Sequence, residues 1–164
     1  MVVMENVYLL LGTNVGDLEE NLARAINAIK EKKIKILKKS RIYKTKAWGA
    51  TDQPDYLNLA LEVGTDLTAD DLLRVLKDIE AGMGRRVTKL RWQPRVIDID
   101  IIFWGDHIVD RPGLKIPHGE FRNRPFAIKI LSEIAPDFMP PGSKHTLEEL
   151  SSGASNEGIE IYCN

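Results

Sequence analysis

Cysteine is almost missing from this chain. Cys163 is the single one in 164 residues, so neither an intrachain disulfide nor a multi-cysteine metal site can form, which suits a reducing cytoplasm. Long apolar runs are missing as well. No stretch approaches the ~18 residues of a membrane span, and the opening MVVMENVYLLLG carries no basic segment ahead of its short apolar run, so neither an anchor nor a secretory signal is expected. Net charge is the third scarcity. The 23 cationic and 24 anionic residues leave a formal charge of -1, which supplies no global field for a nucleic-acid backbone or an anionic membrane. Any anion site must be local. A soluble cytoplasmic monomer with small-molecule partners is the expectation.

What is present suits one compact domain spanning 1–164. A 43% hydrophobic composition in a chain of this length buries roughly 70% of the unfolded surface in a single core. The core is expected over about residues 5–150, and residues from Ser151 onward are too polar to assign.

Val7 to Leu11 is a short apolar run closed by Gly12-Thr13-Asn14 and reads as a buried first strand. Asp17, followed three residues later by Glu20, forms a capping-box pattern opening a helix with Leu18, Leu22, Ala25, Ile26 and Ile29 on one face. Six lysines between Lys30 and Lys39 read as solvated cations at the helix end and on the next strand, where Ile34 and Ile36 alternate. Tyr43 to Pro54 has the composition of a long loop, and Asp55 to Val63 alternates well enough for a strand. Thr68 caps a second helix that stops at Gly82 or Gly84. A second loop, Arg85 to Pro94, leads to another strand, followed by a short hairpin over Ile108 to Ile116 and a third helix over Pro125 to Ile134. The order strand, helix, strand, strand, helix, strand predicts an α+β, ferredoxin-like βαββαβ core: a mainly antiparallel sheet with helices packed on one face and two long loops at the site.

The last strand of that core, RVIDIDIIFW, contains a contradiction. Strict alternation places Ile97, Ile99, Ile101 and Phe103 on one face and Val96, Asp98, Asp100, Ile102 and Trp104 on the other. Two carboxylates then share an otherwise apolar face, and unpaired buried charge is among the most costly features of a core. The pair makes sense at a cleft. Hard cations such as Mg²⁺ take one or two carboxylates plus substrate phosphates, and two ions can clamp a phosphoryl group under attack.

Cations surround this strand in the sequence. Arg85, Arg86, Lys89, Arg91 and Arg95 precede it with no acidic residue from Ala81 to Ile97, and arginine grips phosphate oxygens in a bidentate fork. IPHGEFRNRPF then supplies His118, Arg122 and Arg124, with Phe126 just beyond. His118 is suited either to donate to a phosphate or a leaving oxygen near neutral pH or, as a lone histidine after Ile-Pro more often does, to act as a structural hydrogen-bonder. Tyr56 and Phe126 serve either as core aromatics or as two walls of a slot for a flat ring. The Lys-Ser or Lys-Thr pair of a P-loop is missing after Gly12 to Gly16, so metals and arginines would have to hold a nucleotide.

WQPRVIDIDII resembles the signature of the 6-hydroxymethyl-7,8-dihydropterin pyrophosphokinase family, and GTNVGD, DQPDYLN and IPHGEFRNRPF resemble further segments of that family in the same order. The resemblance covers roughly Val7 to Ala135. It implies transfer of a pyrophosphoryl group from ATP to the pterin hydroxymethyl group, with AMP released, in folate biosynthesis. It further implies two Mg²⁺ ions on Asp98 and Asp100, with Arg85 and Arg95 acting on the phosphates. Glu80, Trp92, Arg95, Ile101, His118 and Arg124 match the nucleotide side. Thr45, Trp48, Gly49, Tyr56, Asn58 and Phe126 match the pterin side. Four positions depart from patterns in the family: Gln93 stands where a small residue is usual, Gly119 lacks the aromatic that some members carry, and Lys77 and Val87 replace polar or cationic nucleotide contacts found in some.

Two rival classes share the architecture. A metal-dependent nucleotidyl or cyclic-nucleotide synthase also places aspartates on a ferredoxin-like sheet, but it would transfer the nucleotide and release pyrophosphate. The other is a non-enzymatic small-molecule-binding or RNA-binding module; RNA binding on such a sheet needs stacking aromatics on the central strands, where DIDII supplies charge.

Overall fold

Alternating apolar residues on β1 (Glu5–Thr13) divide the molecule into two layers around one sheet. Val7, Leu9 and Leu11 face a core closed by α1 (Leu18–Lys30) and α2 (Ala69–Gly82), whereas Tyr8 and Leu10 face α3 (Pro125–Ile134) and α4 (Leu147–Ser152). Helices therefore cover both faces. The expectation of one covered face fails because Tyr8 and Leu10 of β1 and Ala60 of β4 place apolar groups on the second face too, and α3 supplies Ala127, Ile128, Ile130, Leu131 and Ile134 to bury them. The computed structural model describes residues 5–47, 52–84 and 96–163.

The remaining strands are β2 (Ile34–Lys39), β3 (Ile42–Thr45), β4 (Tyr56–Thr65), β5 (Asp98–Trp104), β6 (Val109–Arg111), β7 (Leu114–Ile116) and β8 (Ile159–Cys163). In the main sheet the order is β5-β1-β4-β3-β8, with β2 also paired to β4; β6 and β7 form a separate hairpin. Every pairing is antiparallel. The ferredoxin-like second strand is split at Ser40. There the Ser40 N–H donates to the Ala60 carbonyl at 3.0 Å and its hydroxyl accepts from the Ala60 N–H at 2.8 Å. The chain thus stays on β4 as β3, so Tyr43 to Thr45 are strand rather than the start of a long loop.

Local signals explain the helix ends. The Asp17 carboxylate accepts from the Glu20 N–H, and the Thr68 hydroxyl accepts from the Asp71 N–H, each satisfying one orphan donor of a first turn. A full reciprocal capping box occurs at Thr146 and Glu149, opening α4. Beyond it, the polar end of the chain forms β8, held on β3 with Thr45 opposite Ile159 and Tyr43 opposite Ile161.

On β5, strict alternation fails at one point. Leu9 lies opposite Ile101 and Tyr8 opposite Phe103, so Ile102 is an extra residue, a β-bulge. A bulge turns the later side chains over. Ile102 and Phe103 both enter the α3-side core, and Trp104 returns to the α1/α2 side, the reverse of the alternating expectation for Phe103 and Trp104. The part that carries the aspartates lies before the bulge and alternates as expected.

Candidate active site

Ile97, Ile99 and Ile101 are buried under α1 and α2, which leaves Asp98 and Asp100 half-buried on the opposite face, at the start of β5. Gly12 of β1 lies opposite Asp98 on one side and opposite Asn58 of β4 on the other. Three strands therefore present carboxylate, bare backbone and amide in a row, with Asp98 and Asn58 separated by two strand spacings, roughly 10 Å. Gly12 makes the row passable. A Cβ built there would come within 2.7 Å of Asn58 Oδ1 and 3.5 Å of Tyr56 Cδ1. In the sequence Gly12 closes the first strand and opens the GTNVGD segment; a glycine inside a strand next to polar residues is a signal of close approach.

Asn58 is 4% exposed, and its Nδ2 donates to Thr45 Oγ1 at 2.6 Å. Thr45 is at the end of β3, directly opposite Tyr56. Thr45, Tyr56 and Asn58 thus gather on the side of Gly12 away from the aspartates. Phe126 stands in the first turn of α3, partly buried against the α3-side core.

Two residues of the IPHGEFRNRPF segment approach Asp100. Arg124, the residue before α3, brings Nη1 to 3.8 Å from Asp100 Oδ2, and His118 Nε2 lies 4.0 Å from the same oxygen. The His118 N–H donates to the Ile102 carbonyl at 2.9 Å, fixing the loop to the bulge. His118 Nδ1 accepts from the Glu120 N–H at 3.1 Å, so the neutral ring carries its proton on Nε2, facing Asp100. Burial and then the Arg124 charge hold the imidazole below its ordinary pKa, outweighing Asp98 and Glu120. His118 therefore serves as a neutral N–H donor at neutral pH.

Asp100 is perturbed the other way. Burial first, then the Asp98 charge and Glu80 push its carboxyl up to about 7, against the opposing pull of Arg124 and Lys77. Two carboxylates that resist ionising together fit a divalent cation through the chemistry of the donors: hard oxygens on one face, part-open to solvent, whose shared charge a cation would neutralise.

Glu80, assigned to the nucleotide side by resemblance, is 2% exposed. Its Oε2 accepts from the Ile99 N–H at 2.7 Å, and Oε1 lies 3.6 Å from Lys77 Nζ. Since β5 is an edge strand, this bond satisfies an outward backbone donor between the two aspartates and ties α2 to them. Ile101 is buried on the α1/α2 side. A further link, unnoticed in the sequence, runs from Asn21 Nδ2 to Thr13 Oγ1 at 3.0 Å and from Thr13 Oγ1 to the Val96 carbonyl, joining α1, β1 and the entry to β5. Trp48, Gly49, Arg85, Trp92 and Arg95 lie outside the described residues, as do the departures Val87 and Gln93.

Comparison with known proteins finds relatives along nearly the whole chain. The family described as 7,8-dihydro-6-hydroxymethylpterin-pyrophosphokinase (HPPK) matches residues 8–136. A Pseudomonas aeruginosa protein named 2-amino-4-hydroxy-6-hydroxymethyldihydropteridine pyrophosphokinase is 35% identical over 159 residues, 96% of this chain and 97% of that one. One of the same name from Methylorubrum extorquens is 40% identical over 158 residues, 96% of this chain and 98% of that one. Among solved structures, Plasmodium falciparum HPPK-DHPS with pterin and p-hydroxybenzoate superposes with a TM-score of 0.76 at 15% identity, covering 98% of this chain but 45% of that longer one. That likeness establishes the α+β fold, and the sequence matches across nearly the whole length establish the lineage: the chain belongs to the 7,8-dihydro-6-hydroxymethylpterin-pyrophosphokinase family.

Proposed function

We propose that this chain transfers the terminal pyrophosphoryl group of ATP to the hydroxymethyl group of 6-hydroxymethyl-7,8-dihydropterin in folate biosynthesis, releasing AMP. The observation that carries the reading is the row Asp98, Gly12, Asn58. A carboxylate pair for phosphates and a buried amide for a heterocycle stand about one bicyclic ring and a short arm apart, roughly 10 Å by strand spacing, with the side-chain-free position Gly12 between them.

In this reading the pterin lies between Tyr56 and Phe126, with its polar edge on Asn58 and on the chain at Thr45, Trp48 and Gly49. Its hydroxymethyl oxygen attacks the β-phosphorus of ATP and gives up its proton to solvent, the bond from that phosphorus to the α–β bridging oxygen breaks, and AMP leaves. Asp98 and Asp100 would hold two Mg²⁺ ions, whose charge neutralises the phosphate oxygens when bound. Arg124 and the His118 Nε2–H donate toward the triphosphate, and Arg85 and Arg95 act on the group in transfer, so catalysis is mainly alignment and electrostatics. Trp92, Glu80 and Ile101 belong to the nucleotide side, Glu80 by fixing the backbone between the aspartates. Among the described residues no helix is long and apolar enough to cross a membrane, and the proposed setting is a cytoplasmic monomer.

The test is incubation with ATP, Mg²⁺ and 6-hydroxymethyl-7,8-dihydropterin. Pterin-dependent AMP supports the proposal, and its absence from folded protein with ATP bound refutes it.

A further inference from the structure

We infer that the C-terminal strand β8 is the outer brace of the pterin subsite and that Gly158, just before it, is a positioning residue for pterin binding. The inference rests on the proposed placement of pterin at Thr45 and Asn58.

The contacts form a continuous line across the sheet. The Gly158 carbonyl accepts from the Lys46 N–H at 3.1 Å, and Ile159 pairs with Thr45. Thr45 Oγ1 takes the Asn58 amide proton at 2.6 Å, and Asn58 Oδ1 lies over Gly12. Moving the end of β3 therefore moves the hydroxyl that orients Asn58. The nucleotide-facing groups Asp100, His118 and Arg124 lie on the far side of Gly12, and no contact in this line reaches them.

Two independent features require glycine at position 158. Its φ is +73°, in the left-handed region that a Cβ disfavours. A Cβ there would also meet Lys46 Cγ at 2.8 Å and Lys46 Cβ at 3.4 Å. A side chain there turns Lys46 off its rotamer, shifts the end of β3 that carries it, or pulls β8 off β3. Movement of either strand loosens the Thr45–Asn58 hydrogen bond without touching the aspartates.

The experiment compares steady-state kinetics of Gly158→Ala, Lys46→Ala and the double variant, with Asn58→Ala as a control for the subsite. Gly158→Ala should raise KM for the pterin about tenfold while KM for ATP stays within about twofold. Lys46→Ala removes the nearer clashing atom, so alone it should change little, and in the double variant it should recover part of the loss, the left-handed penalty remaining. If Gly158→Ala does not fold, Gly158→Asn replaces it, because asparagine tolerates positive φ yet carries the clashing Cβ. An unchanged pterin KM, an equal rise in both KM values, or no recovery in the double variant would overturn the inference while Asn58→Ala still weakens pterin. If Asn58→Ala leaves pterin binding intact, the subsite itself is misplaced and the inference falls with it.

Discussion

Neutralising Asp100 should stabilise the metal-free protein and abolish its activity. The carboxyl pKa of about 7 lies above its ordinary value of 3.8, so between roughly pH 4 and 7 the folded state keeps a proton that the unfolded state has released. Metal-free stability from this group is complete below that window and is lost as the pH rises through 7. A shift of about three units caps the loss at about 4 kcal/mol. With 24% of the side chain exposed and Arg124 3.8 Å away, about 1–2 kcal/mol is a realistic share, similar to the ~2 kcal/mol repulsion of two charges ~7 Å apart at an effective dielectric of ~20. Asp100→Asn removes the charge at nearly constant shape. Thermal unfolding in excess chelator should show Tm roughly 3–6 °C above wild type at pH 8 and nearly equal to it at pH 4, while turnover with Mg²⁺ and ATP collapses. A Tm that falls at pH 8 with activity retained would mean that Asp100 is a structural partner of Arg124, and the metal-site argument would fail.

Three other outcomes are expected, the first from this geometry and the other two from the sequence. Gly12→Ala should weaken pterin binding by roughly tenfold or more and lower Tm by a few degrees, because its Cβ would lie 2.7 Å from Asn58 Oδ1; unchanged pterin affinity in a calorimetric titration would remove Gly12 from the slot. Arg95→Lys should cut turnover by roughly a hundredfold while leaving Tm within a degree or so, since lysine lacks the planar fork; wild-type turnover would exclude Arg95. Trp48 and Trp92 fluorescence should change on adding a non-hydrolysable ATP analogue with Mg²⁺ and again on adding pterin if the loops close over substrates; single Trp→Phe variants with ligand-insensitive signals would contradict closure.

Much of this was legible in the sequence where a local rule decides the outcome. The Asp98 and Asp100 pair was placed on one face by period-two alternation, and the ends of α2 and α3 by Thr68, Gly82 and Pro125. The failures lie where tertiary partners decide. The bulge at Ile102 depends on register against β1, which no property of IIFW announces. Tyr43 to Thr45 became strand because Ser40 bonds both backbone groups of Ala60, a pairing 20 residues away. The polar tail became β8 because β3 offered an unpaired edge. Gly12 closes a strand in the sequence, but the residues that it separates, Asn58 and Asp98, are set by register across three strands. Glu80 matches the nucleotide side by resemblance, and its hold on the Ile99 amide, 19 residues away, is visible only in the fold.

The most direct test of the central claim follows the phosphorus atoms. Single turnovers run with ATP labelled at the β-phosphate, alongside parallel turnovers labelled at the α-phosphate, should place the β label wholly in a pterin diphosphate and the α label wholly in AMP. An α label found in the pterin product, with the β label released as pyrophosphate, would show nucleotidyl transfer and contradict the account.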